Sequence, residues 1–438
     1  MVHLFVKPLF IVRETNMTLA GKPELLAPGG SIEKCKIAFL YGADAVYVGG
    51  RQFSLRALAR NLNLEELAMA SHLARRLGRK LYVTVNVFAR QADIEALPLY
   101  LEYLNDIGID GVIVSDPGVL VLARQYAADV PIHLSTQMNS TNSLSALFWA
   151  NQGVRRINVA REVSFRELQA IRQNTSAELE VFVHGAMCIS YSGRCFLSAF
   201  LNERSANQGL CSQPCRWSYS LVEEKRPGEF FPIREDDRGS YIFNSRDLCL
   251  IKELKRLMGI GIDAFKIEGR MKGALYLAGT LRAYRRAIDH YWNRPGDEAP
   301  EASWLSDLNC VSHRPYTKGF LFSEDDRLVG STEPYMSYLQ THTLAGIVRE
   351  PALPESEVIL DQILQREGMT CVQVRSRLAV GSILEFLNPD GKTHIHQLKL
   401  FYDLRGNRLS AVHPNSWMCL HVPFATFPFQ VIRTPVAG

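Results

Sequence analysis

Eight short apolar runs alternate with amphipathic stretches through the first 270 residues of this 438-residue chain. They are Glu24–Ala27, Ala45–Gly49, Leu81–Asn86, Gly111–Ser115, Pro131–Thr136, Arg156–Ala160, Leu179–His184 and Ala264–Glu268. Each is rich in Val, Ile or Leu with little polar alternation, as expected of a strand buried on both faces of a parallel sheet. Between them the period changes. Ile94, Leu97, Leu101 and Leu104 recur at three and four residues behind Asp93, a candidate N-cap, and Ile32, Cys35 and Phe39 do so behind Ser31. An α/β chain of this kind closes into a (β/α)8 TIM-like barrel or opens into a doubly wound sheet, and a count of eight favours the barrel. We place the barrel at residues 23–296, after an N-terminal extension (1–22) in which Met17 offers a second start.

Successive strands begin 20 to 36 residues apart until the last interval, which is 85. The insertion (185–263) therefore follows the seventh strand, on the face where barrel enzymes carry their chemistry. It holds Cys188, Cys195, Cys211 and Cys215, with gaps of six, fifteen and three residues and a turn-prone run from Asn202 to Gly209. Four thiolates that fold back on each other suit zinc or an iron–sulfur cluster. Disulfides need an oxidising compartment, and the first residues have Lys7 and Arg13 breaking their apolar patches, unlike a secretory signal. The expected location is cytoplasmic. Cys35, Cys249, Cys310, Cys371 and Cys419 are scattered among apolar neighbours and read as core.

Polar residues end the strands: Asn86, Ser115–Asp116, Gln137, Arg161–Glu162, His184 and the run Lys266 to Arg270. Single members of such a set often cap helices or form surface ion pairs, but together they describe a pocket. Arg56, Arg161 and Arg270 can clamp an anionic small molecule through paired N–H groups, with Asn86 and Gln137 beside them. His184 and Glu268 are the candidate acid/base pair.

Beyond a helix carrying Leu277, Leu281, Tyr284 and Ile288, the sequence Asn293-Arg294-Pro295-Gly296 ends the barrel pattern. A connector (297–340) contains SHRPYTKGF. Residues 341–438 change to strand-like alternation with a hairpin turn at Asn388-Pro389-Asp390-Gly391, which reads as a small C-terminal β-barrel domain. No apolar run reaches the roughly 18 residues of a membrane span, and 47% hydrophobic with 21% charged residues excludes a disordered chain. Net charge is only +4, but the window Arg204 to Arg286 carries +6 and the remainder −2, so a polyanion-binding surface is expected near the cysteines.

The segments PELLAPGG, HGAMCISYSGRCFLS, NQGLCSQPCRW, NSRDL and FKIEGRMK stand in an order that resembles the family long labelled collagenase-like peptidases. Within it the chain is most similar to the tRNA hydroxylation members, over nearly the whole length from Pro23. That resemblance implies a barrel enzyme forming 5-hydroxyuridine at the tRNA wobble position. It further implies an iron–sulfur cluster, 4Fe-4S in type, held by Cys188, Cys195, Cys211 and Cys215, and an oxygen source other than O2 linked to prephenate. The implied partners are tRNA, prephenate, and an electron donor or iron–sulfur assembly proteins. Prephenate is a dicarboxylate, which agrees with an arginine-lined pocket.

Other readings remain to be weighed. Within the family, ribosomal RNA or a ubiquinone precursor are alternative substrates. A literal peptidase would use Cys188 as nucleophile and His184 as base. The chain has no H-E-x-x-H or G-x-S-x-G motif, and a nucleophile needs no three companion cysteines. A non-catalytic RNA-binding protein with structural zinc is the third class.

Overall fold

The structure is a computed structural model that describes residues 21–55, 61–187, 194–204, 210–214, 220–222, 230–232, 246–322, 338–350 and 369–436. The first seven strands are β1 (Glu24–Pro28), β2 (Ala45–Gly49), β3 (Lys80–Val85), β4 (Gly111–Val114), β5 (Ile132–Leu134), β6 (Arg156–Asn158) and β7 (Glu178–Ala186). A short hairpin, β8 (Ser220–Val222) with β9 (Phe230–Pro232), and β10 (Asp247–Cys249) precede β11 (Ala264–Ile267). Strands β1 to β7 pair in sequence, all parallel, and β11 pairs parallel with both β1 and β7. That double pairing closes eight strands into a barrel and excludes the open sheet.

Helices α1 (Ile32–Leu40), α2 (Leu64–Arg76), α3 (Gln91–Asp106), α4 (Pro117–Tyr126), α5 (Ser143–Asn151) and α6 (Phe165–Gln173) join the first seven strands. Their starts are written locally. The Ser31 hydroxyl accepts from Lys34 N, and Asn63 with Glu66 forms a reciprocal capping box. Asp93 proves to lie in the first turn of α3, not before it: its carboxylate accepts from Arg90 N at 2.9 Å, and the helix begins three residues earlier than the Asp93 cap implied. The insertion carries α7 (Leu197–Asn202) and α8 (Leu254–Gly259), and α9 (Ala274–Asn293) follows β11 with Leu277, Leu281, Tyr284 and Ile288 fully buried. In the connector, α10 (Glu301–Cys310) was not foreseen, and β12 (Tyr316–Thr317) pairs with β10, which in turn pairs antiparallel with the end of β7.

The barrel interior is filled. Leu26, Ala45, Tyr47, Tyr82 and Ile113 form its apolar layer. At the amino-terminal end Arg156 reaches Glu24 at 2.6 Å and Glu178 at 2.7 Å, while Lys266 reaches Glu180 at 2.6 Å. Burial pushes the Glu24 carboxyl up, but Arg156 and Lys80 outweigh it and hold the group below its ordinary value. Lys266, read from the sequence as part of the strand-end set, belongs to this interior network.

The C-terminal unit is a curled antiparallel sheet of eight strands, with His342–Val348 between Val431–Pro435 and Met369–Val374. The predicted turn joins Ile383–Leu387 to Thr393–Gln397, with Gly391 at φ 92° donating to Asn388 O. Among the described residues its two outer strands do not pair, so it curls without closing. Cys371 and Cys419, read as unrelated core residues, stand directly opposite each other on adjacent strands with sulfurs 2.6 Å apart. The sheet docks on α1 and α9. Tyr41 donates to Leu387 O at 2.8 Å and accepts from Val431 N at 2.9 Å, and Arg282 reaches Thr393 Oγ1 at 3.3 Å. Ile347, Leu387 and Val431 join the core around the barrel.

Candidate active site at the barrel mouth

One hydrogen-bonded network crosses the carboxyl face of the barrel. Arg270, just past β11, donates to Ser54 Oγ (3.0 Å), Thr84 Oγ1 (3.3 Å), Leu55 O and Asn61 Oδ1 (both 2.7 Å). Leu55 N donates to Asn86 Oδ1 at 3.1 Å. Asn86 Nδ2 donates to Gln137 Oε1 at 2.6 Å, and Gln137 Nε2 returns a bond to Asn86 O. Asn86 and Gln137 are thus brought together as the sequence reading required, half-buried and facing one another. The fork of Arg270 holds the loop after β2, ending on the carbonyl next to Arg56. Arg56 itself lies outside the described residues. Arg161 stacks its guanidinium over Phe182, 3.9 Å from the ring centroid, and donates to Ala186 O. It edges a small, mostly apolar cleft against Phe320 and Leu321. Beside it burial raises the half-buried Glu162 carboxyl. Asp116 has the plain role of N-cap to α4, accepting from Gly118 N at 2.7 Å.

His184 and Glu268 are joined through the backbone, Glu268 N to His184 O at 2.8 Å, while their side chains take different neighbours. The β7–β11 register shifts between Lys266 and Ile267, and Gly185 follows at φ 106°. A β carbon at Gly185 would stand 2.3 Å from Glu268 O, so the approach of the two strand ends needs glycine. Past this irregularity the His184 ring lies among Tyr276, Tyr284 and Tyr316, with Nδ1 3.3 Å from the Tyr284 hydroxyl. Since that hydroxyl donates to Val183 O, Nδ1 carries the proton. Burial pushes the imidazole down to about 3, so it is neutral at physiological pH. Glu268 Oε2 lies 3.4 Å from the Tyr47 hydroxyl.

Two segments that the sequence marked without assigning roles meet beside this site. Asp247 of NSRDL and Arg314 of SHRPYTKGF form a buried ion pair at 2.9 Å, and His313 stacks on Tyr316 at 4.2 Å. Both lie in quoted motifs, but a 67-residue separation gives the sequence no way to pair them.

Cys188 and Cys215 lie outside the described residues; Cys195 is half-buried and Cys211 exposed, both as free thiols. Their segments are tied together: Ser212 N donates to Ser198 Oγ at 3.0 Å, and Asn202 Nδ2 to Ser212 Oγ at 2.9 Å. The assembly spans the mouth. Arg194 Nε reaches Asn139 Oδ1 (3.3 Å) beyond β5, and Gln213 Nε2 reaches Met271 Sδ (3.9 Å) beyond β11. Among the described residues alone, no three His, Cys, Asp or Glu groups converge as a metal site, which is the expected result with two of the four cysteines outside them.

These features define a closed (β/α)8 barrel whose polar network and cysteine-bearing segment share the carboxyl face. The chain belongs to peptidase family U32, whose sequence model matches residues 30–330. It is 34% identical over 95% of both chains to tRNA hydroxylation protein P1 of Bacillus subtilis. It is 35% identical to tRNA hydroxylation protein P of Escherichia coli, over 84% of this chain and 87% of that one. A third relative, the 23S rRNA 5-hydroxycytidine C2501 synthase of Escherichia coli, is 35% identical over 64% of this chain and 41% of its own length. No helix among the described residues is long and apolar enough to cross a membrane.

Proposed function

We infer that this protein is an RNA-modifying enzyme that hydroxylates tRNA, forming 5-hydroxyuridine at the wobble position. The observation that carries the reading is the anchoring of the cysteine segment to two sides of the mouth, at Asn139 and Met271, joined to its similarity along the chain to named tRNA hydroxylation proteins. Replacing C5–H by C5–OH adds one oxygen atom and oxidises the base by two electrons, so an oxygen-donating co-substrate, here the prephenate-linked one, must be reduced by the same two electrons, which side chains alone do not carry. An iron–sulfur cluster, of 4Fe-4S type, supplies electron transfer when bound. Cys195 and Cys211 fit it as free, soft donors on segments already tied together, and Cys188 and Cys215 complete the set.

The chain's own residues bind and orient. Asn86 and Gln137 present amide groups to the base edge. Arg56 and Arg161 receive the carboxylates of prephenate as the oxygen-linked co-substrate, and Arg270 sets the loop that carries Arg56. Glu268 is the carboxylate placed to move a proton at the mouth. His184, neutral and enclosed by tyrosines, positions the β7 end that leads to Cys188. The same enclosure argues against its serving as base for a Cys188 peptidase.

The test is nucleoside mass spectrometry of tRNA and ribosomal RNA from cells lacking the gene, complemented with parent or Cys211→Ala. Loss of 5-hydroxyuridine, restored by the parent and not by the variant, is expected. A ribosomal change with intact tRNA would move the substrate to the rRNA class of the third relative, and no change in either RNA would refute the reading.

A further inference from the structure

The short helix α7 is turned inside out. Its inner face is polar: Ser198 is fully buried and bonded to Ser212. Its outer face is aromatic: Phe196 is 73% and Phe200 85% exposed, and Phe200 N donates to Phe196 O at 2.9 Å, so the two rings leave the same side of one helical turn. An amphipathic surface helix does the reverse, since apolar surface left in water is unfavourable. Four phenylalanines of the described chain are more than half exposed, and three of them, Phe88 with this pair, stand on the barrel mouth. The rim that joins them is continuous: Arg194 before α7 reaches Asn139, which follows Gln137, which is bonded to Asn86, two residues before Phe88. Exposed Arg90 and Arg194 stand on these loops and exposed Arg51 on the neighbouring loop after β2, with acids on the same face that include Asp93, Asp116, Glu162 and Glu203.

Exposed rings on a face that also carries exposed arginines are suited to a ligand with both flat apolar faces and negative charge. Single-stranded RNA has both: its unpaired bases stack on aromatic side chains and its phosphates meet arginine. We propose that Phe196 and Phe200 are a stacking platform for unpaired nucleobases of an RNA loop, with Arg51, Arg90 and Arg194 taking the neighbouring phosphates. The proposal rests on the RNA-modification reading and deepens it, because it specifies a looped single strand over a duplex.

The test uses the full-length protein and a fluorescent hairpin RNA with an unpaired loop, beside a duplex of the same stem. The parent is expected to prefer the hairpin. Phe200→Ala should weaken hairpin binding about tenfold and the Phe196→Ala/Phe200→Ala variant up to about a hundredfold, from the usual worth of base–aromatic stacking. Phe200→Trp should keep parental affinity, which a merely structural role would not predict, and Phe148→Ala on α5 should change nothing. The proposal is overturned if the parent binds both RNAs equally, or if the double variant keeps hairpin affinity within twofold. It is equally overturned if the double variant loses binding to anionic vesicles in place of RNA. Failure of the two readings is separable: a double variant that still restores 5-hydroxyuridine removes the platform alone, whereas a parent that binds hairpins but hydroxylates no RNA removes the enzyme assignment alone.

Discussion

Replacing Asp247 by alanine tests whether the return strand of the insertion is locked as described. Its carboxylate accepts from Arg314 N and Nε at 3.1 Å and from Nη2 at 2.9 Å, and both side chains are at most 3% exposed. Removing one member of such a pair leaves a charge buried and costs about 3–5 kcal/mol. At roughly 2–3 °C per kcal/mol for a large domain, the barrel transition in calorimetry should fall by about 6–15 °C. Asp247→Asn keeps an acceptor and should fall by less. Because replacing a buried pair by apolar groups is often close to neutral, Asp247→Leu/Arg314→Met should melt above Asp247→Ala alone. The strand β10 bridges β7 and β12, so if the proposed cluster is held by the insertion, iron content after anaerobic purification should drop in Asp247→Ala as well. A melting shift below 2 °C, or a double variant that is additive, would refute the reasoning.

Two further outcomes follow from the end of β7. Burial holds the His184 imidazole down to about 3, against an ordinary value of 6.5. The unfolded chain therefore takes up this proton as pH falls below 6.5 while the folded chain does not until about 3, so stability is full above that window and is lost through it. His184→Phe, which keeps the packing among the tyrosines, should flatten the acid limb by up to about 1.4 kcal/mol per pH unit in urea unfolding between pH 7 and 5; an unchanged slope would show that the site does not exclude the proton. Gly185→Ala forces a left-handed backbone and a β carbon against Glu268 O, and should cost about 1–3 kcal/mol or more with loss of activity. Parental stability in that variant would mean the two strand ends are not so close.

The eight strands were legible because parallel strands buried on both faces read as apolar runs, and each observed strand overlaps its expected range. Ser31 and the Asn388–Gly391 turn were legible for local reasons, one hydroxyl and one left-handed glycine. What periodicity could not supply is direction and distant partnership. Alternation along β7 carries His184 toward the mouth, but the register shift beside Ile267 sends it among the tyrosines of α9. Arg270 reads as a free clamp until the loop after β2 is seen to fill its fork. Asp247 with Arg314, and Cys371 with Cys419, are separated by 67 and 48 residues, and only the folded register makes them neighbours.

The joint between barrel and C-terminal sheet has a mechanical meaning. Tyr41 serves both Leu387 and Val431 with a single hydroxyl inside shared apolar packing, and Arg282 grips the hairpin from the other side. Such a joint ties the two units through buried polar bonds as well as apolar packing. Anything that met the sheet and the barrel together would meet a spacing held by these bonds, so the C-terminal unit is carried as a fixture of the barrel by one tyrosine and one arginine.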